Sequence, residues 1–157
     1  MERVEYDERL SVPLRWWVQG TMLVATLWLA VVVALPPVAA WAVTGVAMLA
    51  LAAGLSSFGA ARLRVADGVF HAGPAHLGGQ FLGMVTPLDA EQARRLAGRD
   101  ADARAFLLLR PYLKRAVRVE VVDPADPTPY WLVGTRHPDR LTAALTALRA
   151  RPGTPAP

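Results

Sequence analysis

The chain has 157 residues, of which 54% are hydrophobic and 19% charged, with 17 Lys+Arg against 13 Asp+Glu and no cysteine. The absence of thiols excludes a disulfide scaffold, a thiolate metal site and cysteine nucleophile chemistry. No charged side chain occurs from Trp16 to Ala61, and a charge-free run of that length excludes an ordinary soluble domain.

Residues 1–15 are read as a cytoplasmic arm whose three arginines and four acids sum to −1. The charge-free run is too long for one membrane span, which needs roughly 20 apolar residues. Pro36-Pro37 divides it, because proline lacks a backbone donor and ends one helix while opening the next. Two transmembrane helices are therefore predicted over 16–35 and 38–61, with a tight turn at 36–37. Arginine flanks the pair on both sides, with Arg3, Arg9 and Arg15 before it and Arg62 and Arg64 after it, and none sits at the turn. Positive residues stay inside, so both termini are expected in the cytoplasm and the protein in the plasma membrane. Arg15, Trp16, Trp17, Arg62 and Arg64 are the expected anchors at the inner interface and Trp41 at the outer one. Ala40-Trp41-Ala42 has the form of a signal-peptidase site, but the acidic N-terminal region and the immediate second span oppose cleavage.

Small residues recur at Ala50/Gly54 and Ala53/Ser57/Ala61, and packing of that face against Ala30 and Ala34 of the first span is expected in preference to a dimer contact. Neither span holds an ionisable side chain. Channels and proton-coupled transporters carry such groups inside the bilayer, so transport by this chain alone is not expected.

Residues 62–157 hold 14 Lys+Arg and 9 Asp+Glu, so the net positive charge resides there. Strands are predicted at 62–66 and 69–73 around an Asp67-Gly68 turn, then at 80–86, 105–110, 116–122 and 130–135. Residues 89–98 read as a short helix, with Asp89 and Gln92 spaced as a capping box and Gly98 as the stop. The proline-rich stretch 123–129 is a turn. A last helix over 138–150 carries Leu141, Leu145 and Leu148 on one face, and a disordered tail is expected over 151–157. The fold class is thus a membrane α-helical hairpin plus a small β-rich α+β domain, pleckstrin-homology-like, at 62–150.

Residues 6–17, the 65–68 hairpin, Phe106–Tyr112, Asp123–Trp131 and Thr135–Pro138 together resemble the actinobacterial family of domain of unknown function 3093. The resemblance spans nearly the whole chain. It implies two spans with a pleckstrin-homology-like cytoplasmic domain, and it brings no assigned activity or catalytic residues.

Chemistry-bearing residues are sparse. His71, His76 and His137 lack the spacing of a metal site, and the only serines are Ser11, Ser56 and Ser57. The glycine-rich stretch 73–83 lacks the lysine and hydroxyl of a phosphate-binding loop and reads as a flexible hairpin connection. Asp100/Asp102 and Asp123/Asp126 read as solvated turn residues. The most suggestive group is Arg110, Tyr112, Lys114, Arg115 and Arg118, either a contact for anionic lipid or an acidic partner, or a solvated loop. Trp131 is assigned to the core.

No cofactor, metal or nucleic-acid partner is expected. The leading expectation is a membrane-tethered module that binds or scaffolds at the inner leaflet, with membrane lipids as partners and no catalysis. The alternatives are a transferase or hydrolase using His71 and His137 on a phosphorylated lipid, and an accessory subunit whose spans pair with another membrane protein.

Overall fold

In the computed structural model, residues 4–151 are described. The N-terminal Arg3 and residues 152–157 of the expected tail lie outside them. The chain forms two compact units, Ser11–Ala60 and the remainder.

The first unit is an antiparallel pair of helices, α1 (Leu14–Ala34) and α2 (Pro37–Phe58). Pro36 serves as N-cap of α2 and Pro37 as its first residue, where a missing N–H removes nothing from the hydrogen-bond ladder. The helices start earlier than expected on both sides of the turn, and α2 ends at Phe58 rather than Ala61. Both are long and apolar enough to cross a membrane, and only 6% of each apolar window is buried. Leu23, Leu29, Val33, Val38, Val46 and Leu49 all present their side chains outward. The hydroxyls of Thr26 and Thr44 donate to the carbonyls of Met22 and Ala40 one turn earlier, so neither is left without a partner in apolar surroundings.

The seam between the helices differs from expectation. Covered positions of α2 recur at Ala40, Thr44, Ala47, Leu51 and Leu55, and those of α1 at Gly20, Val24, Trp28 and Val31. Leu51 packs so closely on Gly20 that a Cβ there would lie 2.6 Å from its methyl, and the rings of Trp28 and Trp41 meet at 5.8 Å. Ala50, Ala53, Gly54 and Ser57 are exposed; at about 100° per residue Ala53 and Ser57 point away from the seam, while Ala50 lies at its flank and Gly54 at its edge. Large side chains fill the three-and-four-residue seam and turn the small face outward, so it does not pack on Ala30 and Ala34. Ala61 belongs to neither face: it is buried in the other unit's core.

The second unit opens with β1 (Val4–Arg9), within the segment expected to be an arm. It pairs antiparallel with β2 (Arg62–Ala66), and β3 (Val69–Ala72) and β4 (Ala75–Gly78) extend this sheet in the order β1-β2-β3-β4. Asp67 and Gly68, at φ 50° and 84°, make the hairpin turn the sequence called for. Gly73, at φ 61°, makes the next one, and Ala75–Gly78 then forms a strand instead of a flexible connection. A 3₁₀ turn leads to β5 (Leu82–Leu88), followed by α3 (Ala90–Ala97), β6 (Phe106–Leu108), β7 (Ala116–Val121), β8 (Tyr130–Gly134) and α4 (Pro138–Arg149). The second sheet runs β5-β7-β8-β6, with β6 parallel to β8 and the other pairs antiparallel.

One core unites these layers. Leu63, Val65 and Phe70 from the first sheet meet Val117, Val119, Trp131 and Val133 from the second, and Leu141, Leu145 and Leu148 of α4 close it. Burial of each large apolar side chain contributes about 1.5–3 kcal/mol. Strand β8 is buried on both faces: Trp131 and Val133 point into this core, whereas Tyr130 and Leu132 join Ala93 and Ala116 in a smaller cluster flanked by Leu96 and Ala97 of α3. Trp131 is therefore a core residue, tilted against Phe70 at 5.9 Å and Phe106 at 4.8 Å.

Candidate functional site

Helix α3 is fixed at its start by a reciprocal capping box. The Gln92 amide donates to Asp89 Oδ1 at 2.8 Å, and the Asp89 amide donates to Gln92 Oε1 at 3.0 Å. Ala93 anchors the helix in the smaller cluster on the outer face of the second sheet. Between α3 and the loop joining β6 to β7 lies an open cleft of about 670 Å³. Its walls include Ala90, Ala93, Ala97, Leu109, Leu113 and Ala116, and its charged groups are Arg94, Arg110, Lys114, Arg115 and Glu91. Four cations thus face one carboxylate. Glu91 is itself engaged by Arg94 at 2.9 Å and Arg95 at 3.0 Å.

Three of the five residues expected to contact an anion converge here. Arg115 is oriented by donating from Nη2 to the Arg136 carbonyl at 2.9 Å, and Arg110 donates to the Leu109 carbonyl at 3.3 Å. Lys114 is exposed. The other two stand elsewhere. The Tyr112 hydroxyl donates to the Leu10 carbonyl at 2.7 Å, and burial raises its pKa above the ordinary tyrosine value. Arg118 lies on β7, stacked 4.8 Å over the Tyr130 ring and 3.4 Å from Glu120. A side chain on a strand and one on a loop with adjacent numbers need not share a surface, so sequence proximity grouped them where the fold separates them.

Of the residues expected at the membrane interfaces, Arg15, Trp16 and Trp17 lie in the first turn of α1, and Trp41 is exposed near the start of α2. Arg62 and Arg64 lie on β2, in register with Arg9 and Asp7 of β1.

A second polar constellation escaped the sequence reading altogether. Glu8 on β1 is buried and accepts three hydrogen bonds. Tyr6 Oη donates to Oε2 at 2.6 Å, Thr135 Oγ1 donates to Oε2 at 2.5 Å, and the Arg136 amide donates to Oε1 at 2.9 Å. The His137 amide in turn donates to Thr135 Oγ1 at 3.0 Å. Burial and the neighbouring Glu8 carboxylate push the Tyr6 phenol well above its ordinary pKa. A cavity of about 270 Å³ opens beside the group, lined by Glu5, Tyr6, Asp7, Glu8, His137 and Arg140. The only advance signal was Tyr6-x-Glu8 alternating with Leu10, a strand pattern with a carboxylate at an inward position.

The histidines do not assemble. His71 and His76 face each other across the β3–β4 ladder with ring centres 6.2 Å apart, both exposed, while His137 lines the smaller cavity. Among the described residues no group of three His, Asp or Glu side chains is placed to hold a metal ion. Asp102 and Asp126 are turn residues, as expected. Hydrogen bonds from Arg104 hold the first carboxyl below the ordinary aspartate pKa, and hydrogen bonds from Thr128 do the same for the second.

No curated protein and no solved structure matches the chain. A family model does, over residues 5–145, and the chain accordingly belongs to the family described as protein of unknown function (DUF3093).

Proposed function

We propose that the chain is a plasma-membrane protein that crosses the bilayer twice, through α1 and α2, keeps both termini in the cytoplasm, and carries a binding module at the inner leaflet. The observation behind the binding role is the cleft that gathers Arg110, Lys114 and Arg115 with Arg94 around an apolar floor. Two antiparallel-rich sheets closed by a C-terminal helix fit a pleckstrin-homology-like layout. The outward apolar surface of α1 and α2 supports the spans, since exposed leucines and valines of this extent need a hydrocarbon surrounding. Trp16 and Trp17 beside Arg15, and Trp41 near the turn, suit the two aromatic belts. Only four residues separate β1 from α1 and three separate α2 from β2, so the module is tethered on a short leash. There each cation near an anionic leaflet contributes about 1 kcal/mol.

The absence of cysteine makes the topology directly testable. A membrane-impermeant maleimide added to intact cells should label Val38→Cys, next to the turn, and should label Thr146→Cys on α4 only after permeabilisation. Labelling of Thr146→Cys in intact cells would overturn the orientation. A second reading, an accessory subunit of a membrane complex, is favoured by the exposed small residues Ala50, Ala53, Gly54 and Ser57 on α2.

A further inference from the structure

We infer that the α3 cleft takes an acidic phospholipid, its headgroup on Arg110, Lys114 and Arg115 and an acyl chain along the alanine and leucine floor. The inference rests on the inner-leaflet reading above and names the ligand class for that site. Four features of the cleft carry it.

The volume of about 670 Å³ lies within the roughly 300–1,000 Å³ range of small-molecule sites and far exceeds what a lone phosphate needs. At the start of α3 the capping box already engages two of the backbone amides, those of Asp89 and Gln92, so the backbone contributes little to anion binding there. Charge is instead delivered by side chains, four cations against a single carboxylate that already pairs with Arg94 and Arg95. Beneath them the floor is Ala90, Ala93, Ala97, Leu109, Leu113 and Ala116, which has no side-chain donor or acceptor. An acidic peptide would bring its own amides and carbonyls onto that floor and leave them without partners, at a desolvation cost. A hydrocarbon chain carries none. The combination of apolar floor and cationic groups therefore selects an anionic amphiphile over a free phosphate and over a peptide.

The test uses the full chain in a nonionic detergent, with hydrogen exchange of segments 90–97 and 109–116 as readout. It is titrated with lysophosphatidylglycerol, with lysophosphatidylcholine of the same chain length, with glycerol 3-phosphate, and with an amphipathic peptide rich in glutamate and leucine. Lysophosphatidylglycerol should slow exchange in both segments, and the other three should not. Loss of one cation should raise the concentration needed about fivefold, so Arg110→Gln with Lys114→Gln should raise it about 25-fold. Neither residue belongs to the core, and should the double variant lose the native exchange pattern of β7 and β8, Lys114→Gln alone carries the comparison. Equal protection by glycerol 3-phosphate would overturn the lipid while leaving an anionic binding module standing. Protection by the peptide alone would replace the lipid with a protein partner. Equal protection by the zwitterionic lipid, or none by any ligand, would overturn both the lipid and the module.

Discussion

Removing the Glu8 carboxylate is the sharpest perturbation the fold offers. Three donors converge on its two oxygens at 2.5–2.9 Å, from Tyr6, Thr135 and the Arg136 amide, in a place where Glu8 is 8% and Thr135 1% exposed. In Glu8→Ala those donors lose their acceptor, and each buried group left unsatisfied costs about 1–3 kcal/mol. The adjoining cavity admits water to some of them, so the net loss is set at about 3–4 kcal/mol, a large share of the roughly 5–15 kcal/mol that holds a domain together. Glu8→Gln keeps the shape and one acceptor oxygen and should lose only about 1–2 kcal/mol. Four of the five tryptophans lie on α1 and α2, so bulk fluorescence would blur the domain's signal. Hydrogen exchange resolves it: amides of β1 should exchange about 10²–10³-fold faster in Glu8→Ala and about tenfold faster in Glu8→Gln. A Glu8→Ala protein that stays folded with β1 protection changed by less than threefold would show that the constellation does not hold the strand.

Two further outcomes follow from local geometry. Asp89→Ala removes the capping box of α3 and should destabilise that helix by about 1 kcal/mol, seen as about fivefold faster exchange over 90–97 while β7 is unchanged; unaltered exchange would mean that packing of Ala93 alone fixes the cleft wall. Burial raises the pKa of both Tyr6 and Tyr112 in the folded state, so their contribution to stability is fully present below the unfolded value of about 10 and is lost as pH climbs toward the folded values. Phenolate absorbance at alkaline pH should therefore appear in step with unfolding for these two residues, and Tyr6→Phe with Tyr112→Phe should flatten the stability loss above pH 10; ionisation of both tyrosines near pH 10 in a folded protein would refute the burial argument.

The parts of this fold that were legible in the sequence are those where one physical signal dominates. The charge-free run marks α1 and α2, Asp67-Gly68 marks the first hairpin, and Asp89 with Gln92 marks the start of α3. Strand β1 was missed because its inward positions alternate Tyr6, Glu8 and Leu10, and a carboxylate at a buried position mimics a solvated arm until its three donors, two of them more than 100 residues away, are in place. Strand β4 was missed because Ala75-His-Leu-Gly78 has little side chain to announce a ladder that the Gly73 turn imposes. The candidate site was legible in part. Arg110, Lys114 and Arg115 were grouped by proximity in sequence, but the other wall of their cleft comes from α3 and carries Arg94, which no local pattern connects to them. The outward face of Ala53 and Ser57 was misplaced because small residues permit a close approach without requiring one, whereas the bulk of Leu51 against Gly20 fixes the seam.

The pairing of β1 with β2 bears on the order of assembly. Leu10 donates to the Ala61 carbonyl across an interval of 50 residues, the whole of the helix pair. Closing an unstructured loop of that length would cost about 3–4 kcal/mol in chain entropy. Antiparallel helices return the chain to the side it left, so much of that entropy is surrendered before the strands meet. Pairing of β1 with β2 is therefore less costly once the helix pair has formed than across an unstructured loop. A polypeptide in which the helix pair fails to form would be left with an unmatched strand edge open to pairing with another chain.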